Sequence, residues 1–229
     1  MSSFIIYRKK EYAVILVDHL GHRKFPEGNV APLIASKLTQ VGSGVFAAHA
    51  GTWQPCYDIL TRLHEFLICT PTLRSYDDIM AFLSDIGKER HEYYKSIYKS
   101  NSVDMRIPIV LTGHYRRPQD IENEVSSTCL VYETANNFTP TPAIMAFYAY
   151  NSEVTNVIGA LLELPALNLM LNSGPLSLVQ ALDAIHSLIA KICVYVSPEV
   201  SIVIVGDGEE FTVVKGFMTT LPCNALRFG

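Results

Sequence analysis

Residues 4–18 have the sequence FIIYRKKEYAVILVD, in which two apolar, β-rich runs flank a charged tip. Short runs rich in Ile, Val and Tyr on either side of a polar segment are typical of a β-hairpin. The pattern therefore predicts strands over 4–7 and 12–17, so that the chain enters a sheet almost at its first residue. This early hairpin restricts the folds that the rest of the pattern can complete.

The next segment predicts a loop followed by a second hairpin. Residues 19–32 are polar and are interrupted by glycine and proline, which indicates a loop. Residues 35–41 and 44–50 predict two more strands around a Gly-Ser pair, which again indicates a hairpin. We therefore expect four strands before any helix.

The spacing of apolar residues changes to the helical period after Thr52. It predicts one helix that ends before Pro71 and a second helix from Ser75 to about Tyr98. Strands are expected over 107–112, 128–134 and 143–150, and a loop is expected over 114–125.

The final third of the chain predicts two helices and a hairpin. Residues 153–171 have a helical pattern that Pro165 must kink or interrupt. Residues 177–196 form the clearest helix, with a capping box from Ser177 and Gln180. The closing hairpin is expected over 200–205 and 211–214, around a Gly-Asp-Gly turn.

The order of these elements predicts the fold class. Strands and helices occur in groups, which is not the alternation of a parallel α/β sheet. Sheets with one apolar face and helices in pairs can be covered by stacking sheet on sheet, with the helices outside. We therefore predict a single α+β domain over residues 1–229 with a four-layer αββα sandwich.

Composition limits the partners of the chain. Charged residues make up 17% of it, below the usual quarter, and apolar residues make up 49%. A low charged fraction suggests that part of the surface does not face water. Oligomerisation would cover that part, and a monomer with a large core explains the composition equally well. The net charge of −4 gives no electrostatic reason to expect nucleic acid or an anionic membrane as a partner. No apolar run is long enough to predict a membrane span.

Cysteine and histidine usage predicts a reducing compartment and no bound cofactor. The five cysteines contain no C-x-x-C pair, and several lie in apolar runs, as reduced core cysteines do. The N-terminal residues lack a signal peptide pattern, so we expect a cytoplasmic protein. His19 and His22 have no Cys or Glu partner at zinc spacing. No helix follows the turn over 206–208 to bind phosphate, so neither a metal nor a cofactor is expected.

Four residues near the N-terminus have a distinctive spacing. Asp18 follows Ser2 by sixteen positions, and Gly51 follows Lys37 by fourteen. These spacings and the element order resemble N-terminal-nucleophile hydrolases of the proteasome β-subunit type. In that family a threonine becomes the first residue, an aspartate follows sixteen positions later, and a lysine precedes the glycine of an Ala-Gly pair by fourteen. Residues 190–195, AKICVY, also resemble the peptidase subunit of the bacterial ATP-dependent protease.

The resemblance implies a catalytic set of Ser2, Asp18, Lys37 and Gly51. Ser2 would be the nucleophile after removal of Met1, and its own α-amine, with a pKa of about 7.7–8.0, would be the base. The Lys37 ammonium would lower the pKa of that amine, and Asp18 would pair with Lys37. The amide of Gly51 would bind the oxyanion.

Each of these residues also has an ordinary structural interpretation. Ser2 is a common second residue, and Asp18 accepts turn amides in many proteins. Lys37 fits an edge strand, where a charge discourages aggregation. Gly51 fits the start of a helix.

The chain also departs from the family pattern. The nucleophile is a serine, the loop between Asp18 and Lys37 is about three residues longer than usual, and residues 158–161 lack the serine that opens the family's third helix. An aspartate near the end of the fourth helix is absent, with Lys191 or Val194 nearby. Two functions therefore stay open. One is a peptidase or amidase subunit in a homo-oligomeric ring or stacked rings, with a possible ATPase unfoldase partner. The other is a catalytically inactive protein with a structural or assembly role.

Overall fold

A computed structural model describes most of the chain, namely residues 3–9, 11–24, 30–42, 45–68, 76–98, 105, 107–115, 126–149, 152–193, 196–206 and 211–220. Ser2 and residues 69–75, which include Pro71, lie outside these ranges. Within the described ranges no helix is long and apolar enough to cross a membrane.

Among the described residues, six strands precede the first helix: β1 Ser3–Arg8, β2 Ala13–Asp18, β3 Leu20–Lys24, β4 Val30–Ile34, β5 Leu38–Gly42 and β6 Val45–His49. Both predicted hairpins are confirmed, since β1 pairs with β2 and β5 pairs with β6, each antiparallel. The loop predicted over 19–32 is wrong, because β3 and β4 pair antiparallel there. Strand pairing uses backbone groups that polar residues also supply, so the polar composition concealed this hairpin.

In the described part of the middle of the chain there are two helices, four strands and a short 3-10 helix: α1 Trp53–Ile68, α2 Tyr76–Ile97, β7 Ile109–Tyr115, β8 Ser126–Tyr132, the 3-10 helix Thr134–Asn136, β9 Thr141–Pro142 and β10 Met145–Ala149. The two consecutive helices and the three predicted strands are confirmed within a few residues. The loop predicted over 114–125 is wrong at its start, because His114 and Tyr115 belong to β7. Its remainder, 116–125, lies outside the described residues.

Where the structure describes it, the last third of the chain contains three helices and three strands: α3 Ser152–Leu162, α4 Pro165–Leu171, α5 Pro175–Ile192, β11 Val200–Val205, β12 Phe211–Lys215 and β13 Thr219–Thr220. The interruption at Pro165 is confirmed, because proline begins α4, where its missing N–H costs nothing. The capping box predicted from Ser177 and Gln180 is wrong, since α5 begins at Pro175 after Gly174.

The strands form two large sheets and one small one. The five-stranded sheet has the order β10-β1-β2-β11-β12, and the six-stranded sheet has the order β13-β5-β6-β7-β8-β9. The strands β3 and β4 form a separate two-stranded sheet. Pairing is antiparallel except between β13 and β5, which are parallel. The molecule is therefore a mixed structure with two mainly antiparallel sheets, compatible with the predicted α+β class.

Apolar side chains gather in three buried clusters. One contains residues of α1 and α2 with residues of the six-stranded sheet. A second contains residues of α3, α4 and α5 with residues of β1, β2 and β11. The third, the inter-sheet cluster, draws on both large sheets and includes Ile6, Ile15, Val203, Leu38, Phe46 and Val110. Side chains along β1 alternate between clusters, with Ile5 in the second and Phe4 and Ile6 in the third, as the two-residue period of a strand requires.

Candidate functional site

Asp18 ends β2 and is completely buried. Its Oδ1 accepts hydrogen bonds from the backbone N–H of Ser3 at 2.8 Å and from Nζ of Lys37 at 2.5 Å. Its Oδ2 accepts from the backbone N–H groups of Leu20 at 3.2 Å and Ser197 at 3.3 Å. Four donors converge on one buried carboxylate, so both of its oxygens are hydrogen-bonded.

Lys37 lies just before β5 and has only 2% of its surface exposed. Its ammonium donates to Asp18 and to the carbonyl oxygen of Leu20 at 2.6 Å. Burial lowers the pKa of Lys37, and the neighbouring Asp18 carboxylate opposes that effect. The edge-strand interpretation of Lys37 is therefore wrong, because the ammonium is enclosed and paired and β5 has neighbours on both sides.

Ser2 comes immediately before Ser3, whose backbone N–H makes the shortest of the three backbone hydrogen bonds to Asp18. The N–H of Ser3 and the ammonium of Lys37 bind the same oxygen of Asp18, so both groups lie on one side of that carboxylate. Ser2 itself lies outside the described residues, and its side chain is not located. The structure therefore brings together Asp18, Lys37 and the residue that follows Ser2.

Gly51 lies between β6 and α1 with a φ of 79°, a left-handed conformation that favours glycine. The strand that leads to it is tied to Lys37, because the N–H of His49 donates to the carbonyl oxygen of Lys37 at 3.1 Å. Gly51 therefore lies two residues after His49, whose backbone contacts Lys37. A backbone amide before a helix is a common way to bind an oxyanion.

His49 is a buried histidine beside the ion pair. Burial, and then the positive charge of Lys37, lower the pKa of His49 from 6.5 to about 3. Its imidazole is therefore neutral at physiological pH, and it adds no second positive charge next to Lys37.

Sequence reasoning missed the backbone donors of the site. Ser197 follows α5, and its backbone amide donates to Asp18. Lys191, one of the residues near the position where the resemblance implies an aspartate, is exposed on α5, and Val194 lies outside the described residues. A backbone N–H belongs to any residue except proline, so no pattern of side chains could have found it.

No protein-family model matches the chain, and no curated protein is significantly similar to it. Among the residues that the structure describes, no three His, Cys, Asp or Glu side chains are grouped to hold a metal ion. The chemistry of the site thus rests on its own geometry. Burying a lysine and its partner costs desolvation free energy, and such groups cluster at functional sites, so the pair is a candidate site.

Proposed function

We propose that this chain is a proteasome-like N-terminal-nucleophile peptidase or amidase subunit in which Ser2 becomes the first residue. One observation carries the proposal: the amide of Ser3 and the ammonium of Lys37 converge on Oδ1 of Asp18. The Lys37 ammonium therefore lies near the backbone of Ser3, the residue that follows the proposed nucleophile.

The proposed fold is the four-layer αββα sandwich of N-terminal-nucleophile hydrolases. The three apolar clusters support it, since one involves both sheets and each of the other two joins one sheet to its own helices. In such an arrangement Asp18 from one sheet and Lys37 from the other meet at one end of the sandwich.

The proposed reaction begins when the Ser2 α-amine takes the hydroxyl proton and Oγ attacks the carbonyl carbon of the substrate. The Gly51 amide stabilises the oxyanion of the tetrahedral intermediate. The protonated α-amine then gives its proton to the leaving nitrogen, the C–N bond breaks, and an acyl ester on Ser2 remains. Water hydrolyses this ester by the same steps. Lys37 keeps the pKa of the amine low, and Asp18 holds Lys37 in place.

We further propose a homo-oligomer, as a ring or stacked rings. Exposed large apolar side chains on α3, α4 and α5 and their connections support contacts with further copies: Val157, Leu164, Leu169, Leu176, Leu188 and Ile192. An enclosed chamber would take unfolded substrates, which an ATPase unfoldase partner could supply. A cytoplasmic location agrees with the reduced, buried Cys56 and Cys193.

A catalytically inactive structural or assembly protein is the second candidate. It is favoured by the absence of a hydroxyl in residues 158–161 and by the lack of an aspartate near Lys191. Such a protein would keep the Asp18–Lys37 pair as an inherited feature without an exposed α-amine.

Intact mass and N-terminal sequencing of protein from its natural source test the proposal first. We expect a mature chain that begins at Ser2 and cleaves members of a panel of fluorogenic peptide amides. Ser2→Ala should lower that activity by at least about 100-fold, because the nucleophile is lost. Ser187→Ala, on the exposed face of α5, is the matched control and should retain activity. A retained or acetylated Met1, or full activity in Ser2→Ala, would favour the assembly protein.

A further inference from the structure

The chain crosses from one large sheet to the other close to the candidate site. Lys215 in β12 pairs with Ile202 in the five-stranded sheet. Only residues 216–218, the crossing segment, separate β12 from β13, which pairs with Thr39 and Gln40 of β5 in the six-stranded sheet. Met218 in this segment packs against the inter-sheet cluster. The crossing segment therefore joins the two sheets at one end of the molecule.

Both ends of the crossing segment lie next to elements that carry the ion pair. On one side, Val200 and Ser201 of β11 pair with Asp18 and Val17. On the other side, β13 begins its pairing at Thr39, two residues after Lys37. The two charged residues are thus linked by the crossing segment as well as by their own contact.

Ser201 binds the crossing segment through two hydrogen bonds of its hydroxyl. Its Oγ accepts the N–H of Phe217 at 2.9 Å and donates its proton to the Phe217 carbonyl oxygen. The remaining acceptor position faces Nε2 of His19 at 2.7 Å. A hydroxyl has one proton and two lone pairs, so Nε2 of His19 must be the donor.

His19 is held on three sides. Its side chain donates to Ser201, and its ring centroid lies 4.4 Å from the ring centroid of Phe217. Its carbonyl oxygen accepts the N–H of Ala35 at 2.9 Å, two residues before Lys37. Burial lowers the pKa of His19, and the charge of Lys37 acts in the same direction, while Asp18 and Glu199 oppose them. The ring is therefore neutral at physiological pH, with its proton on Nε2.

The crossing segment approaches β11 so closely that it requires glycine at position 216. Gly216 has a φ of 76°. A Cβ atom at this position would lie 2.5 Å from the carbonyl oxygen of Val200 and 2.7 Å from Cα of Ser201. Both contacts are with backbone, which cannot move aside cheaply. The close approach of the crossing segment to β11 therefore depends on the glycine at position 216.

We propose that His19 is a positioning residue, and that with Ser201 and the crossing segment it sets the geometry of the Asp18–Lys37 pair. The described contacts of His19 are with Ser201, Phe217 and Ala35. It fixes the peptide that follows Asp18 and, through Ala35, the segment that leads to Lys37. The inference deepens the proposed function and gives His19 a role in the same site.

The first test measures the titration of Lys37 by 13C NMR of protein labelled at lysine Cε, with the Lys37 signal assigned by Lys37→Arg. In His19→Leu and in Ser201→Ala we expect the pKa of Lys37 to rise toward its ordinary value, because the loosened end of the molecule admits water. In His19→Gln, whose amide can still donate to Ser201, we expect the wild-type titration. A Lys37 titration that is unchanged in both disrupting variants, in folded protein, would overturn the inference.

Hydrolysis gives an independent readout. In an active enzyme we expect His19→Leu to lower kcat about 10- to 100-fold with little change in KM, because misplaced catalytic groups slow the chemical step more than binding. His19→Gln should recover most of kcat. A change in KM alone, or equal losses in His19→Leu and His19→Gln, would contradict a positioning role.

The two readouts separate this inference from the proposed function. If the Lys37 titration changes in His19→Leu and Ser201→Ala but the wild-type protein hydrolyses nothing, the positioning role is supported and the proposed hydrolase function is rejected. If the enzyme is active and neither the Lys37 titration nor kcat changes in the His19 variants, the proposed hydrolase function stands and the positioning role is rejected. If the variants do not fold, 15N NMR of wild-type His19 decides, since a neutral Nε2–H ring is required and an Nδ1–H or charged ring at pH 7 refutes the arrangement.

Discussion

Nζ of Lys37 lies 2.5 Å from Oδ1 of Asp18, and the two side chains are 3% and 0% exposed. A pair removed from water to this extent differs from the surface pair of Lys215 and Asp183, which lie 3.5 Å apart with about half of each side chain exposed to solvent, 50% and 40%. When one member of a buried pair is removed, the charge of the other stays buried without its partner and away from water.

Lys37→Met should lower the free energy of unfolding by about 3 kcal/mol, because it leaves the Asp18 charge buried with only backbone donors. Lys215→Met, which breaks the surface pair, should cost less than about 1 kcal/mol. Urea denaturation of both variants at neutral pH makes the comparison. Equal losses in the two variants would show that Asp18 and Lys37 are not coupled in the folded protein.

Two glycines in helices should respond oppositely to alanine. A Cβ at Gly87 in α2 would lie 2.6 Å from Cγ of the buried Phe138 ring, whereas a Cβ at Gly159 in α3 would meet nothing within 4 Å. We expect Gly87→Ala to destabilise the protein by about 1–3 kcal/mol through overpacking, despite the better helix propensity of alanine. Gly159→Ala should stabilise by up to about 1 kcal/mol.

Thermal or urea unfolding of the two alanine variants tests this difference. The double variant Gly87→Ala, Phe138→Leu should recover part of the loss, because the smaller side chain leaves room for the new methyl group. A stabilising Gly87→Ala would mean that Phe138 does not occupy the space beside α2.

His186 on α5 is a buried histidine whose two ring nitrogens have no hydrogen-bond partner among the described atoms. Burial lowers the pKa of His186 from 6.5 to about 4. The nearby carboxylates of Asp18 and Asp183 act against this shift, and Lys215 and Lys37 add to it. The folded protein therefore keeps this ring neutral in a pH range where the unfolded chain protonates it.

We expect acid to destabilise the protein through His186. Between pH 6.5 and 4 the unfolded state binds more protons, so the free energy of unfolding falls as the pH falls, by about 3 kcal/mol from this residue. His186→Leu should remove that part of the pH dependence, and it should be at least as stable as wild type at pH 7, because no unpartnered nitrogen remains. Urea denaturation from pH 7 to pH 4 measures it. Parallel curves for the two proteins would contradict a neutral, buried His186.

Oligomer contacts should depend on the exposed leucines of the helices. Leu169 on α4 is 72% exposed and Leu176 on α5 is 68% exposed. We expect Leu169→Glu or Leu176→Glu to reduce the mass of the assembly in size-exclusion chromatography with light scattering, because a charge would be buried between copies. Ile144→Glu, at a site 61% exposed before β10, is the control. An unchanged mass in both helix variants would place the contact elsewhere.

The sequence predicted those parts of the fold that depend on neighbouring residues. The hairpin of β1 and β2 is coded by two apolar runs and a charged tip, and its strands fix the position of Asp18. The spacing of Lys37 and Gly51 follows from the next hairpin in the same way. Each of these relationships lies within a few tens of residues, where the pattern of side chains determines the pairing.

Contacts between distant residues could not be predicted. Strand β13 has two residues, too few for any pattern, and it pairs with β5 from the other end of the chain. The bond from the Ser197 amide to Asp18 involves no side chain of Ser197, and the bond from His19 to Ser201 joins residues 182 positions apart. These contacts depend on how the sheets meet, which the order of elements alone does not specify.

The crossing segment also affects the order in which the molecule is completed. During synthesis Asp18 and Lys37 leave the ribosome before Ser197, Ser201 and Phe217 do, because they come earlier in the sequence. The nascent chain therefore carries both charges before it has the groups that shield them from water. On the proposed function, the newly made protein would gain its reactivity only after the crossing segment has been synthesised, which couples the onset of hydrolysis to the joining of the two large sheets.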